Sequence, residues 1–142
     1  MALRKAAALA LASLALAGGG LVGSASAASA TAAGDNSLAT VEGVDGVPAR
    51  GDGTDCAFGR LCLYTEPNYR GTRFDLYVCR DYRLAQWNGF GSAWNAQTVG
   101  TVVRFKDQEY RVIGTIKGRD PSGTIYGYSA YDFSPVWYAN NC

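Results

Sequence analysis

The chain reads as a small all-β sandwich held by two disulfides, preceded by an export signal. Three observations predict this. No stretch after residue 55 sustains helical periodicity for three turns. Short β-rich runs recur there between turn signals, the pattern of a sandwich or barrel. Finally, all four cysteines and all 17 aromatic residues fall within residues 56–142.

The N-terminus divides by composition. "MALRK" is a basic start, "AAALALASLALAGGGLVG" an apolar run of small residues, and "SASA" ends in Ala25-x-Ala27. That order of regions predicts a signal peptide over 1–27, with Ala30 the alternative cleavage point because "ASA" repeats there. Gly18, Gly19 and Gly20 interrupt the run short of the roughly 20 apolar residues a membrane span needs. Residues 28–55 are mainly Ala, Gly, Ser, Thr, Val and Asp, with a net charge of −4. They lack the bulky side chains that offset ordering entropy, so a flexible acidic leader is expected. Arg50-Gly51-Asp52 within it reads as a chance tripeptide.

Export removes Arg4 and Lys5, leaving 11 basic against 12 acidic residues. A net charge of −1 gives no global field for nucleic acid or an anionic membrane. The expected product is an extracellular monomer with no membrane attachment after signal removal.

Within 56–142, "RLCLYT" (60–65), "TRFDLYV" (72–78), "GTVVRFK" (100–106), "YRVIGTI" (110–116) and "GTIYGYSAY" (123–131) read as strands. Alternation is clearest at Phe74, Leu76 and Val78. Pro67-Asn68, Asp107-Gln108 and "KGRDPSG" (117–123) read as turns. The one helical candidate is a turn around "DYRLAQW" (81–87), and Trp87 and Trp94 are expected in the core.

Cys56, Cys62, Cys79 and Cys142 in a small exported chain read as two disulfides. A zinc site would need Cys-x-x-Cys spacing or histidine, and the chain has no histidine. Of the three possible pairings, Cys56–Cys62 as a tight local loop with Cys79–Cys142 at the C-terminus is favoured. Loop entropy alone does not choose among them.

The missing histidine removes Ser–His–Asp and Cys–His catalysis. Oxidised cysteines offer no thiolate, and carboxylates such as Asp75 and Asp81 sit among arginines without pairing for acid–base work. The chain is expected not to be an enzyme.

In "LYTEPNYRGTRFDL" (63–76), Tyr64 ends a strand, Glu66-Pro67-Asn68 folds the chain back, and Tyr69 is expected across the turn against Gly71. A plain hairpin needs neither the two tyrosines nor that glycine. The spacing Tyr64, Tyr69, Gly71 resembles the folded-hairpin signature of βγ-crystallin Greek keys. With the signal peptide, "CAFGRLCLYTEPNYRGTRF" and "WNGFGSAWNAQT", the chain is similar to the secreted actinobacterial metalloproteinase-inhibitor family of that fold. In the second half, Phe105 and Tyr110 keep the aromatic spacing, but Val112 stands where glycine is expected. The resemblance implies two Greek keys and a cofactor-free inhibitor whose partner is an extracellular protease, acting by rigid loop insertion. Position matches the inhibitory loop to Thr115, Ile116 and Lys117, with Ile116 the bulky residue after the scissile bond. The loop closed by Cys56 and Cys62, displaying Phe58 and Arg60, is the alternative. Crystallin-type calcium sites resemble (Asn/Asp)-(Asn/Asp)-x-x-(Ser/Thr)-Ser. Asn88 and Ser92 fit that pattern, while Gly89 and Ala93 each remove an oxygen, leaving weak calcium candidates. A crystallin-type binding or structural module, for calcium or an envelope polymer, is the alternative function.

Overall fold

A computed structural model describes residues 35–142 of the chain; the expected signal peptide lies outside them. The described residues form ten strands and no helix. These are β1 (Thr40–Val41), β2 (Gly46–Pro48), β3 (Leu61–Glu66), β4 (Arg70–Leu76), β5 (Asp81–Ala85), β6 (Phe90–Asn95), β7 (Val103–Lys106), β8 (Val112–Ile116), β9 (Tyr126–Asp132) and β10 (Tyr138–Asn140).

The strands make two antiparallel sheets, ordered β1-β5-β10-β7-β8 and β2-β4-β3-β6-β9. Each four-strand half lends its third strand to the other sheet. β5 leaves β3, β4 and β6 to pair with β10, and β9 leaves β7, β8 and β10 to pair with β6. This exchange makes the domain a βγ-crystallin-like sandwich of two Greek keys. The register also defines its two ends. Leu61, Leu76, Asn95 and Tyr126 align at one, and the hairpin Glu66–Arg70 with Phe90 and Asp132 lies at the other.

Inward-facing Leu61, Leu63, Phe74, Leu76, Val103, Phe105 and Ile116 meet Trp87 and Phe133 in the main core. Each such side chain stabilises by about 1.5–3 kcal/mol when fully buried. β5 corrects the expected helical turn at 81–87. Tyr82 and Leu84 are buried while Asp81, Arg83 and Ala85 are exposed, so the period is two, not 3.6. Trp87 is in the core as expected, but Trp94 is only half-buried and packs on a second cluster.

That second cluster exists because β3 is buried on both faces. Cys62 and Tyr64 point away from the main core and are covered by Cys56, Ala96, Ala49, Tyr69 and Trp94. The cover begins upstream of residue 56, and 35–55 is accordingly folded rather than a loose leader. β1 pairs with β5, β2 pairs with β4, and Ala39 and Val41 join the main core. Too poor in bulky residues to build a core alone, the segment packs on one already made. The pairings Cys56–Cys62 and Cys79–Cys142 are both present, and no described cysteine is free.

In the first hairpin Asn68 and Tyr69 both have positive φ, and the Tyr69 ring meets Tyr64 and Trp94 edge-on at 5.5 and 4.9 Å. Glycine is needed at 71 because of Thr65. Gly71 has φ +78°, and a Cβ there would collide with Thr65 Oγ1, which itself accepts the Thr72 N–H. The second hairpin keeps the positive φ at Tyr110 and, like the first, carries a register shift, here between Phe105 and Lys106. The rings differ: Tyr110 stacks on Tyr138, while Phe105 packs inward on Tyr131 and Phe133.

Candidate functional site

Three loops converge at the end of the sandwich marked by Asn95. The first is the disulfide loop between Cys56 and Cys62, where Gly59 at φ +84° lets its N–H reach the Ala96 carbonyl at 2.9 Å. Phe58 projects from this loop, 65% exposed. The second is the linker 96–102 between the two halves, with Val99 exposed. The third follows β8 and runs from Lys117 to Ile125.

Asn95 ties the second and third together. It ends β6, is fully buried, and donates through Nδ2 to the carbonyls of Thr101 at 3.0 Å and Lys117 at 3.1 Å, with Ile116 at a longer 3.5 Å. Its Oδ1 accepts the Gln97 N–H at 3.3 Å. Gly118 packs so closely on Thr101 that a Cβ there would strike the Thr101 backbone. Gly100 N–H reaches the Arg119 carbonyl at 3.3 Å.

The tip of the third loop is braced by Asp120. Its carboxylate accepts Ser122 Oγ–H at 2.6 Å, the Thr124 N–H at 2.9 Å and the Tyr126 hydroxyl at 3.1 Å. The Ser122 hydroxyl and the Thr124 amide, in that order, hold the carboxyl down at about 2, so the brace is fully ionised near neutral pH. Arg119 donates to the Gly123 carbonyl at 3.1 Å and sets its guanidinium 5.5 Å from the Phe58 ring centre. That contact joins the third loop to the first. The result is an exposed aromatic and two cations, Lys117 and Arg119, on backbone fixed by buried groups.

Phe58 stands in this cluster as the alternative loop expected. Arg60, from the same loop, instead turns to Asp75 at 3.2 Å. The inhibitory bond expected at Thr115-Ile116 is corrected. Both residues are in β8, paired with Arg104 and Val103, and Ile116 is 2% exposed in the main core. A side chain holding two sheets together does not enter a protease pocket. Only Lys117 of that trio is on loop surface.

The calcium candidates separate likewise. Ser92 is fully buried, donating to the Glu66 carbonyl at 2.7 Å and accepting the Tyr69 N–H at 2.8 Å, so its oxygen braces the first hairpin. Asn88 is exposed on the neighbouring loop. The carbonyls of Thr65 and Phe90 accept hydrogen bonds from Asn36 Nδ2 at 3.1 Å each. No group of three or more His, Cys, Asp or Glu side chains suited to a metal occurs among the described residues.

Sequence reading missed Asn95, Asp120 and Asn36. Asp120 was within reach, because Asp-Pro-Ser-Gly is a turn whose first residue accepts hydrogen bonds two and four residues on. Asn95 also left a trace, as an amide directly after Trp94. Asn36 acts on partners 29 and 54 residues away, which local pattern does not reveal.

No curated protein and no solved structure matches the chain. A family model does, that of peptidase inhibitor family I36, over residues 49–116. The matched span takes in the disulfide loop with Phe58, the folded hairpin and Asn95, and stops where the third loop begins. Over residues 49–116, from the segment after β2 to the end of β8, this chain is similar to peptidase inhibitor family I36.

Proposed function

We propose that the protein is exported, loses residues 1–27, and inhibits extracellular metalloproteases by presenting the three-loop end of its sandwich. The observation that carries the reading is the bracing of that end by Asn95, buried and bonded to backbone on both adjoining loops. A protein inhibitor binds tightly when its contact loops lose little freedom on docking. Asn95 and the disulfide Cys56–Cys62 remove that freedom beforehand. Phe58 supplies the exposed aromatic anchor that interface cores favour, with Arg119 against its ring. The family match supplies the general class, and the choice of metalloproteases rests on the likeness of the first half to secreted inhibitors of that kind.

The test is a titration of the purified protein against a thermolysin-like and a subtilisin-like protease. Stoichiometric inhibition of the metalloprotease is expected, weakened about tenfold or more by Phe58→Ala. Full activity of the metalloprotease in the presence of excess intact protein would refute the proposal. Undiminished inhibition by the Phe58→Ala variant would move the contact surface elsewhere.

A further inference from the structure

We propose that the opposite end of the sandwich carries a second binding site, a cleft around Trp137 and Arg83 that takes an acidic saccharide. The cleft, about 360 Å³, lies between the end of β5 with the residues after it and the turn ahead of β10. That size falls within the roughly 300–1,000 Å³ of small-ligand sites. Its floor is apolar, made by the edges of Leu84, Trp87 and Val136. Its rim carries Arg83, Gln86, Asn88 and Trp137.

Four features make this more than a surface dip. Trp137 is 37% exposed, yet its backbone is fixed on both sides, accepting the Leu84 N–H at 2.8 Å and donating to the Lys106 carbonyl at 2.9 Å. The ring is therefore presented on a rigid support. Gln86 holds φ at +61°, a conformation side-chain-bearing residues rarely adopt, where the chain turns under the rim. Asn88 is tied down only through its backbone N–H, to Asn36 Oδ1 at 2.7 Å, which leaves its carboxamide for a ligand. Arg83 is the one charged residue lining the cleft, and its acidic strand neighbour Asp81 is already held by Lys106 at 2.8 Å.

A further aromatic surface adjoins the cleft. Tyr138 lies directly across from Arg83 in the strand register, and Tyr110 stacks on it at 4.3 Å and 16°. Exposed aromatic faces beside amide and guanidinium donors suit a sugar ring. Its C–H face packs on the rings, and its hydroxyls accept hydrogen bonds from the amides. The Arg83 guanidinium, with no acidic partner among the described residues, selects a carboxylate, which it binds through two parallel donors. These groups differ from those at the Asn95 end, so the two sites are separable by mutation.

Calorimetry and indole N–H shifts in NMR with tetragalacturonic acid, against cellotetraose as an uncharged tetrasaccharide of different linkage, test the proposal. Saturable binding of the acidic sugar is expected, with cellotetraose at least tenfold weaker. Arg83→Ala and Trp137→Ala should each weaken the acidic sugar at least tenfold while leaving protease titrations unchanged. Arg83 is on an exposed strand face, so its variant keeps the test independent of folding. Absence of saturable binding at millimolar sugar, equal affinity for both sugars, or binding undiminished in Arg83→Ala would each overturn it.

Discussion

Asp55 accepts the Tyr64 hydroxyl at 3.0 Å and grips Arg73 at 2.8 Å, so the residue before the disulfide loop is tied to both strands of the folded hairpin. Arg73 also reaches Asp75 at 2.7 Å, and the Asp55 side chain is only 3% exposed. Burial opposes ionisation of Asp55, but donors from the Arg50 amide, Tyr64 and Arg73 outweigh it and hold the carboxyl below its ordinary value. Burial, followed by Asp55 itself, pushes the Tyr64 phenol well above its own.

A depressed folded-state carboxyl contributes stability that is present above the unfolded value, 3.8, and is lost as pH falls through the folded one. Chemical denaturation followed from pH 7 to pH 2 should therefore show stability declining below about pH 4. In Asp55→Asn the decline should be shallower, and at pH 7 the variant should be less stable by about 1–3 kcal/mol, because the negative charge facing Arg73 and one of the two buried acceptor oxygens are lost. An unchanged acid slope would show that Asp55 is not the titrating link.

Asn36 gives a second test of the upstream segment. Its carboxamide bridges the first hairpin and the loop after Trp87 through Thr65, Phe90 and the Asn88 amide. Asn36→Ala leaves two carbonyls and one N–H without that partner and should cost about 2–3 kcal/mol in urea unfolding. If the segment were loose in solution, the substitution would be neutral.

Gly71 and Gly123 separate conformational from steric cost. Both have positive φ, +78° and +93°, but only at Gly71 would a Cβ meet a neighbour, Thr65 Oγ1. Gly123→Ala should cost about 1–2 kcal/mol, the penalty of the left-handed region alone. Gly71→Ala should cost about 2–4 kcal/mol, because the hairpin must also move away from Thr65. Equal losses in thermal unfolding would mean that Thr65 yields without cost.

These cases also mark where local pattern stopped carrying information. Phe74 and Leu76 alternate with polar neighbours, so β4 was legible. β6 was not, because its buried positions hold Gly91, Ser92 and Ala93, chosen for close approach to neighbouring backbone and not for bulk. The segment from Asn36 to Val41 looked too sparse to fold because its partners lie tens of residues away. The same limit hid Asn95, whose role depends on two loops that meet only when the sandwich closes. Ile116 was misread for the opposite reason. A bulky apolar residue at a strand end suits a protease pocket and a core equally well, and only the register with Val103 decides between them.

The braced end yields a prediction that separates rigidity from stability. Asp120 is on the surface, so Asp120→Ala removes three hydrogen bonds from the tip of the third loop without opening the core. The melting temperature should stay within a few degrees of the parent. Inhibition of the metalloprotease should weaken by about tenfold, because docking must now order a loop that was ordered before. Asn95→Ala should lower both, since it also removes a buried donor that holds the Thr101 and Lys117 carbonyls. Slow cleavage within residues 117–125 by the target enzyme, seen by mass spectrometry in Asp120→Ala and not in the parent, would identify the third loop as the one at the active site. If inhibition constants and cleavage were both unaffected, the third loop would lie outside the contact, and Phe58 on the disulfide loop would be left as the anchor.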